Sequence, residues 1–303
     1  MKLPALVALI LLAGPAVGMA DTLEDKFQSL KEAVTSKNVP EVKKLALEVF
    51  PLVTEATCVP APAEADQKDA WASGIEHAKG IGVFAEYALV TAALESPAAT
   101  LIDLVTTLET QNPKSQYLDM AYGAYLVALS QTGSASKVPA VAEKALANFP
   151  ENEDLLLVMT DTAVNRKQTD RALNYANRLV AALNKHQKPE GTPAAQWERK
   201  RSAGLARGYF VSGVIYGERG QYANADKNLR AALPLIQGNN AMMGPALFHL
   251  GMANYQLGKM TLNKAKVLEG AKFSEQSAAI ESPYADQARH NAIVMKTEGD
   301  RMR

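Results

Sequence analysis

Between residues 206 and 239 the chain sets bulky and small side chains at the spacings that two closely packed helices require. Tyr209 and Tyr216 supply bulk, and Gly213 lies between them. Gly220 and Tyr222 mark a turn, and Ala225, Leu229 and Ala232 then recur on one helical face. The logic is steric: small residues let two helix axes approach, and large ones fill the gaps beside them. The same phase recurs upstream in weaker form. A start near 82 gives Leu89, Ala92, Leu101 and Pro113; a start at 119 gives Tyr122, Leu126, Gly133, Ala145 and Pro150. A start at 153 gives Leu156, Met159, Ala163, Ala172 and Ala176, and the three starts are nearly evenly spaced. A unit this short cannot bury its apolar face alone, so such a pattern calls for stacked copies.

The stretch GVIYGERGQYANADKNLRAAL resembles a tetratricopeptide repeat, a helix–turn–helix unit. A second copy starts near Gly244, with the Leu250-Gly251 pair, Gly258 at the turn, and Ala271, Ala278 and Pro283 in and after the second helix. These positions fit only if about eight extra residues lie between Gly258 and Ala271, which predicts a longer turn or an earlier second helix there. The resemblance covers roughly residues 82–285. It implies an all-α chain, an α-solenoid wound as a right-handed superhelix, and a scaffold or adaptor that holds a partner chain in its concave groove.

Composition agrees with helix. Ala, Leu, Lys, Glu and Gln run throughout the 303 residues, and alternating β-branched runs are rare. Lys plus Arg equals Asp plus Glu at 32 each, so no net field draws nucleic acid or an acidic surface. Aromatics are only 6%, a poor stock of platforms for stacking bases.

The N-terminus reads as an export signal. Lys2 precedes an apolar run over residues 3–13, Gly14-Pro15 breaks it, and Gly18 and Ala20 are small. Cleavage is expected after Ala20, with Gly18 as the alternative, so the mature chain is expected in the periplasm or outside the cell with no membrane span. Cys58 is the single cysteine and cannot form an internal disulfide. The expected division is a signal peptide (1–20), a helical hairpin with a Pro/Ala-rich loop (21–66), degenerate repeats (67–186), clearer repeats (187–285) and a capping helix with a tail (286–303). The hairpin should turn at Asn38-Val39-Pro40. Asp170 with Thr169, and Thr192 before Pro193, read as helix N-caps. KHQKPEGT, between Lys185 and Thr192, is a break that either divides two bundles or is bridged by continued stacking. The cap should present Arg289, Lys296, Glu298, Asp300 and Arg301 outward.

Nothing in the sequence nominates a catalytic group. His77, His186, His249 and His290 show no zinc-ligand spacing, and His249 beside Phe248 reads as core or groove lining. Gly80-Ile81-Gly82 lacks the remainder of a dinucleotide fingerprint. No catalytic residue, metal site or cofactor is therefore expected. The basic run Glu198-Arg199-Lys200-Arg201, with Arg207 two turns beyond Lys200, is either a solvated surface or a carboxylate contact. What the resemblance implies for the groove falls on Met120 and Val127, then Leu157, Asp161, Val164 and Asn165, then Arg207, Phe210 and Val214, then Phe248, Met252, Tyr255 and Gln256. The expected protein-binding set is Asp161, Asn165, Arg207, Phe210, Met252, Tyr255 and Gln256, facing a protein or peptide partner and no nucleic acid. The Lys, Asn and Arg clamp by which one subclass grips a C-terminal carboxylate is missing, since Leu157, Asp161 and Val211 stand there. The alternative is an enzyme or a small-ligand or glycan binder with its site in the same groove.

Overall fold

The computed structural model describes residues 17–189 and 191–302. Most of the expected signal peptide, residues 1–16, lies outside them. The described residues are helical and contain no strand. They form two compact units that divide between Phe149 and Pro150. No described helix is long and apolar enough to cross a membrane.

The first unit holds α1 (Val17–Thr35), α2 (Val39–Thr57), α3 (Lys68–Leu94), α4 (Ala98–Gln111), α5 (Gln116–Gln131) and α6 (Val138–Ala145). The expected turn at Asn38 is present: the Asn38 side chain accepts a hydrogen bond from the Glu41 amide, and Pro40 lies in the first turn of α2, where an N–H is not needed. α3 starts well before residue 82, so the expected repeat start falls inside this helix. α3 packs on α2, α4 and α5, and also on α1. Lys43 on α2 pairs with Asp103 on α4 at 2.7 Å, and Lys37 pairs with Glu95 at 2.8 Å. Both pairs advance along the chain in the same order, so α2 and α4 run parallel.

The second unit holds α7 (Glu153–Asn165), α8 (Thr169–Lys185), α9 (Ala194–Glu218), α10 (Tyr222–Ala232), α11 (Asn240–Met260), α12 (Lys264–Ala278) and α13 (Ala285–Arg301). The break at KHQKPEGT lies within this unit, and α8 and α9 pack directly across it. Each helix packs on its chain neighbour, and in addition α7 touches α9, α9 touches α11 and α11 touches α13. Ala225, Leu229, Ala232, Leu250 and Ala253 are fully buried at the α9–α10–α11 junction. Burying one such leucine is worth roughly 1.5–3 kcal/mol.

Glycine makes this packing tight. A Cβ on Gly213 would lie 2.5 Å from Leu229 Cγ, and one on Gly208 would lie 2.6 Å from Val180 Cγ2. Gly220, the expected turn glycine, has φ +69°, in the left-handed region that favours glycine.

Of the two alternatives for the extra residues between Gly258 and Ala271, the earlier second helix is the one that forms, and two other expectations need correction. α11 continues to Met260, and α12 begins at Lys264. Gly258 is not the turn glycine but a helical contact, since its Cβ would meet the Val267 amide nitrogen at 2.7 Å. The turn residue is Leu262, with φ +53°. The extra residues were absorbed as helix, about one further turn on each arm of the hairpin. Thr169 and Thr192 are not caps. Thr169 is already helical, Gln168 and Pro193 precede the two helices, and neither makes a side-chain cap bond. The expected last helix is present as α13, where Glu298 stays partly exposed while its carboxylate accepts a hydrogen bond from the Tyr255 hydroxyl at 2.7 Å.

Candidate functional site

All seven expected binding residues lie in the second unit, on the helices that touch in the order α7, α9, α11 and α13. Two seven-residue steps place α9. Lys200 reaches Asp154 at 2.7 Å, and Arg207 reaches Asp161 at 2.6 Å. Seven residues are about two helical turns, so the two cations meet two carboxylates on matching rows, and α9 runs parallel to α7. On its other side Tyr209 accepts from Asn184 and Tyr216 accepts from Asn177, both at 3.1 Å. There the order reverses, as it must for an antiparallel neighbour.

The basic run thus divides by role. Lys200 and Arg207 hold α7, and Arg201 donates to the Leu183 carbonyl at the end of α8. The Arg207–Asp161 pair is partly exposed on both sides and so contributes roughly 0–1 kcal/mol, which suits a positioning contact more than a folding one. Asn165, one turn beyond Asp161, is exposed.

Phe210 is half-buried. It packs against the cluster around Ala163, Ala176 and Val211 and also against the cluster around Ala206, Leu229 and Leu250. Met252 packs at the edge of the cluster formed by Tyr255, Val267, Ala271 and Met295, and its sulfur accepts from Asn291 at 3.3 Å. Tyr255 is buried, and its hydroxyl also accepts from Lys259 at 3.1 Å. Burial and the Glu298 carboxylate raise the Tyr255 phenol above its ordinary value. The Tyr255 hydroxyl and the Lys259 ammonium hold Glu298 below the usual carboxylate range. Tyr255 is therefore engaged by α13 and lies behind the surface, while Gln256 and Met252 remain partly open.

His249 is core. It is 8% exposed, its Nε2 has no hydrogen-bond partner, and its ring lies against Phe248 and Tyr284. Burial lowers its pKa to about 4, so it is neutral near pH 7.

Two features escaped the sequence reading. Asn254 on α11 is fully buried and bridges α10 to α12. It donates to Asp226 at 2.7 Å and accepts from Arg230 at 3.1 Å, while Arg230 also reaches Glu269 at 2.9 Å. Burial works against the Arg230 charge, but Glu269 and Asp226 more than offset it and raise its pKa. The second feature is the double seven-residue step of acids and bases. It is visible in the sequence as Asp154/Asp161 against Lys200/Arg207, but Asp161 and Arg207 were expected to face a partner and instead pair with each other.

In the first unit, Met120 and Val127 lie on one exposed face of α5, at 59% and 56% exposure. Two open clefts of the second unit lie along α12, one beside Glu275, Arg289 and Lys296, the other beside Arg230, Gln237 and Gln276. Among the described residues, no three His, Cys, Asp or Glu side chains gather as they would around a metal ion. No family model matches the chain, and no curated protein matches it.

Proposed function

We propose that this chain is a non-catalytic scaffold of the bacterial cell envelope, exported by its N-terminal signal, which binds another protein on the face shared by α7, α9 and α11. The observation that carries this reading is the partly exposed Phe210 on α9, one helical turn from the Arg207–Asp161 pair that joins α9 to α7, with Met252 and Gln256 partly open on α11 and Asn165 exposed on α7. An aromatic side chain seated between two packed clusters is held in place, so little entropy is lost when a partner covers it.

The architecture proposed with it is an α-solenoid of tetratricopeptide-like hairpins. Within each unit, every odd-numbered helix touches the next odd-numbered one, α1 to α3 to α5 and α7 to α9 to α11 to α13. The parallel order of the ion pairs between α7 and α9 supports the same stacking. Such a face takes an extended segment or a helix of a partner chain. Phe210 would anchor, Met252 would adapt to an irregular surface, and Arg207 would orient. Tyr255 would support Met252 from behind.

The test is affinity capture from the native envelope, with alanine at Phe210, Met252, Arg207 and Gln256 in turn. Phe210→Ala should cost on the order of 2 kcal/mol of binding with helicity unchanged. Unchanged capture by all four folded variants would refute the assignment of this face.

A further inference from the structure

The α11–α12 hairpin ends in a tip that joins the contacts described above only through Lys259. Residues 259–265 are all exposed, and two of them are large and apolar: Met260 at 73% and Leu262 at 83%. The turn does not require leucine. The corresponding turns after α1, α5, α7 and α9 use Lys37, Gly133, Lys167 and Gly220 at positive φ. Leu262, at φ +53°, has the same backbone conformation as Lys37 and Lys167, but its side chain leaves apolar surface in water. Large apolar side chains left exposed at a turn that lysine or glycine fills elsewhere point toward a contact. Beside these residues stand Lys259, Lys264 and Lys266, and no acid lies between Gln256 and Leu268 in the sequence. Lys259 pairs with Glu298 at 3.3 Å, Lys264 donates to the Met302 carbonyl at 3.0 Å, and Lys266 lies 3.4 Å from the Asn254 side-chain oxygen, so the carbonyl and amide leave the charges of Lys264 and Lys266 unneutralised.

We propose that this tip is a contact site for an anionic phospholipid surface. A convex tip has no pocket in which to enclose a partner's side chain, which disfavours a protein anchor. It has instead the depth order of an interfacial anchor. Met260 and Leu262 stand at the summit, where they enter the acyl boundary, and the lysines stand on the shoulders, where their ammonium groups meet phosphate. The contact is weak and reversible, as two apolar side chains and a few lysines dictate. It is independent of which protein the α7–α9–α11 face holds.

The test is co-sedimentation of the purified protein, its N-terminus fixed by mass spectrometry, with phosphatidylcholine vesicles containing roughly 25% phosphatidylglycerol. Three variants are compared on the same N-terminus: Leu262→Gly, Met260→Ser with Leu262→Ser, and Lys264→Gln. Leu262→Gly should leave the melting temperature unchanged or raised while lowering partitioning about fivefold, and the double serine variant should lower it about tenfold or more. Lys264→Gln should weaken binding only at low salt. In Leu262→Trp the indole emission should shift to the blue on vesicles and be quenched by brominated acyl chains. Absence of vesicle binding, equal binding by the double variant, or a tryptophan that stays in water would overturn the proposal. So would loss of a captured partner protein in the double variant without any vesicle binding, since the tip would then be a protein contact.

Discussion

The α3–α5 contact and the α7–α9 contact join the same kind of helix pair by opposite chemistry. Between α3 and α5 the contact is aromatic: Tyr87 and Tyr117 meet edge to face at 5.6 Å, and Phe84 continues the ladder to Phe27 on α1. Between α7 and α9 it is ionic, with Asp154 and Asp161 facing Lys200 and Arg207. The units also differ in how their helices cross. In the second unit Gly204, Gly208, Gly213, Gly251, Gly258 and Gly270 each leave no room for a Cβ, whereas among the described glycines of the first only Gly82 comes close, with 3.1 Å to Val53. One stacking scheme is thus met either by removing side chains at the crossing or by wedging rings into it.

The largest effect should come from refilling a glycine crossing. Gly258→Val would put a Cβ 2.7 Å from the Val267 amide and 2.9 Å from the Asn263 carbonyl, and backbone cannot swing aside. We expect a loss on the order of 3 kcal/mol or more in chemical denaturation. A cost below about 1 kcal/mol would mean that the hairpin is looser than described.

Acid should act next, through His249. An unfolded chain takes up a proton near pH 6.5, but the buried imidazole resists it down to about pH 4. The unfolded state therefore binds more protons across that window, and stability falls as the pH drops from 6.5 to 4, by about 3 kcal/mol at most. Above pH 6.5 this group has no effect. His249→Phe should flatten that part of the pH–stability profile.

The two kinds of contact can then be separated directly. Tyr87→Ala should cost roughly 1–2 kcal/mol, the same at low and high salt, because ring contacts are not screened. The smallest effect is expected at Arg207–Asp161. A double-mutant cycle with Arg207→Gln and Asp161→Asn should give a coupling within about 1 kcal/mol that shrinks in 0.5 M salt, where the Debye length is only about 4 Å. A salt-sensitive Tyr87 variant, or an Arg207–Asp161 coupling indifferent to salt, would erase the contrast.

That contrast explains what could be read from the sequence. Helix class was legible everywhere, because propensity is a local property. The hairpin of α9 and α10 was legible in detail because glycine at a crossing is a rare residue in a rare place, and Gly213 opposite Leu229 leaves a clear pattern. In the first unit alanine, tyrosine and phenylalanine do the same work, and they are common enough to blur the phase. The α11–α12 hairpin was misread because Gly258 was taken for a turn glycine, while the left-handed position went to Leu262, which sequence rules would not place there. At the candidate face, Arg207 and Phe210 were expected to face a partner, and each is only partly exposed because it also pairs with or packs on a neighbouring helix. That Tyr255 is covered by α13 depends on Glu298, 43 residues along the chain, and no local pattern carries that distance.

Hydrogen–deuterium exchange of the protein with a partner captured from its envelope tests the central claim most directly. Partner binding should slow exchange in peptides of α7, α9 and α11 that contain Asp161, Phe210 and Met252, and leave α8, α10 and α12 unchanged. Protection confined to α8, α10 and α12, or to the first unit, would contradict it.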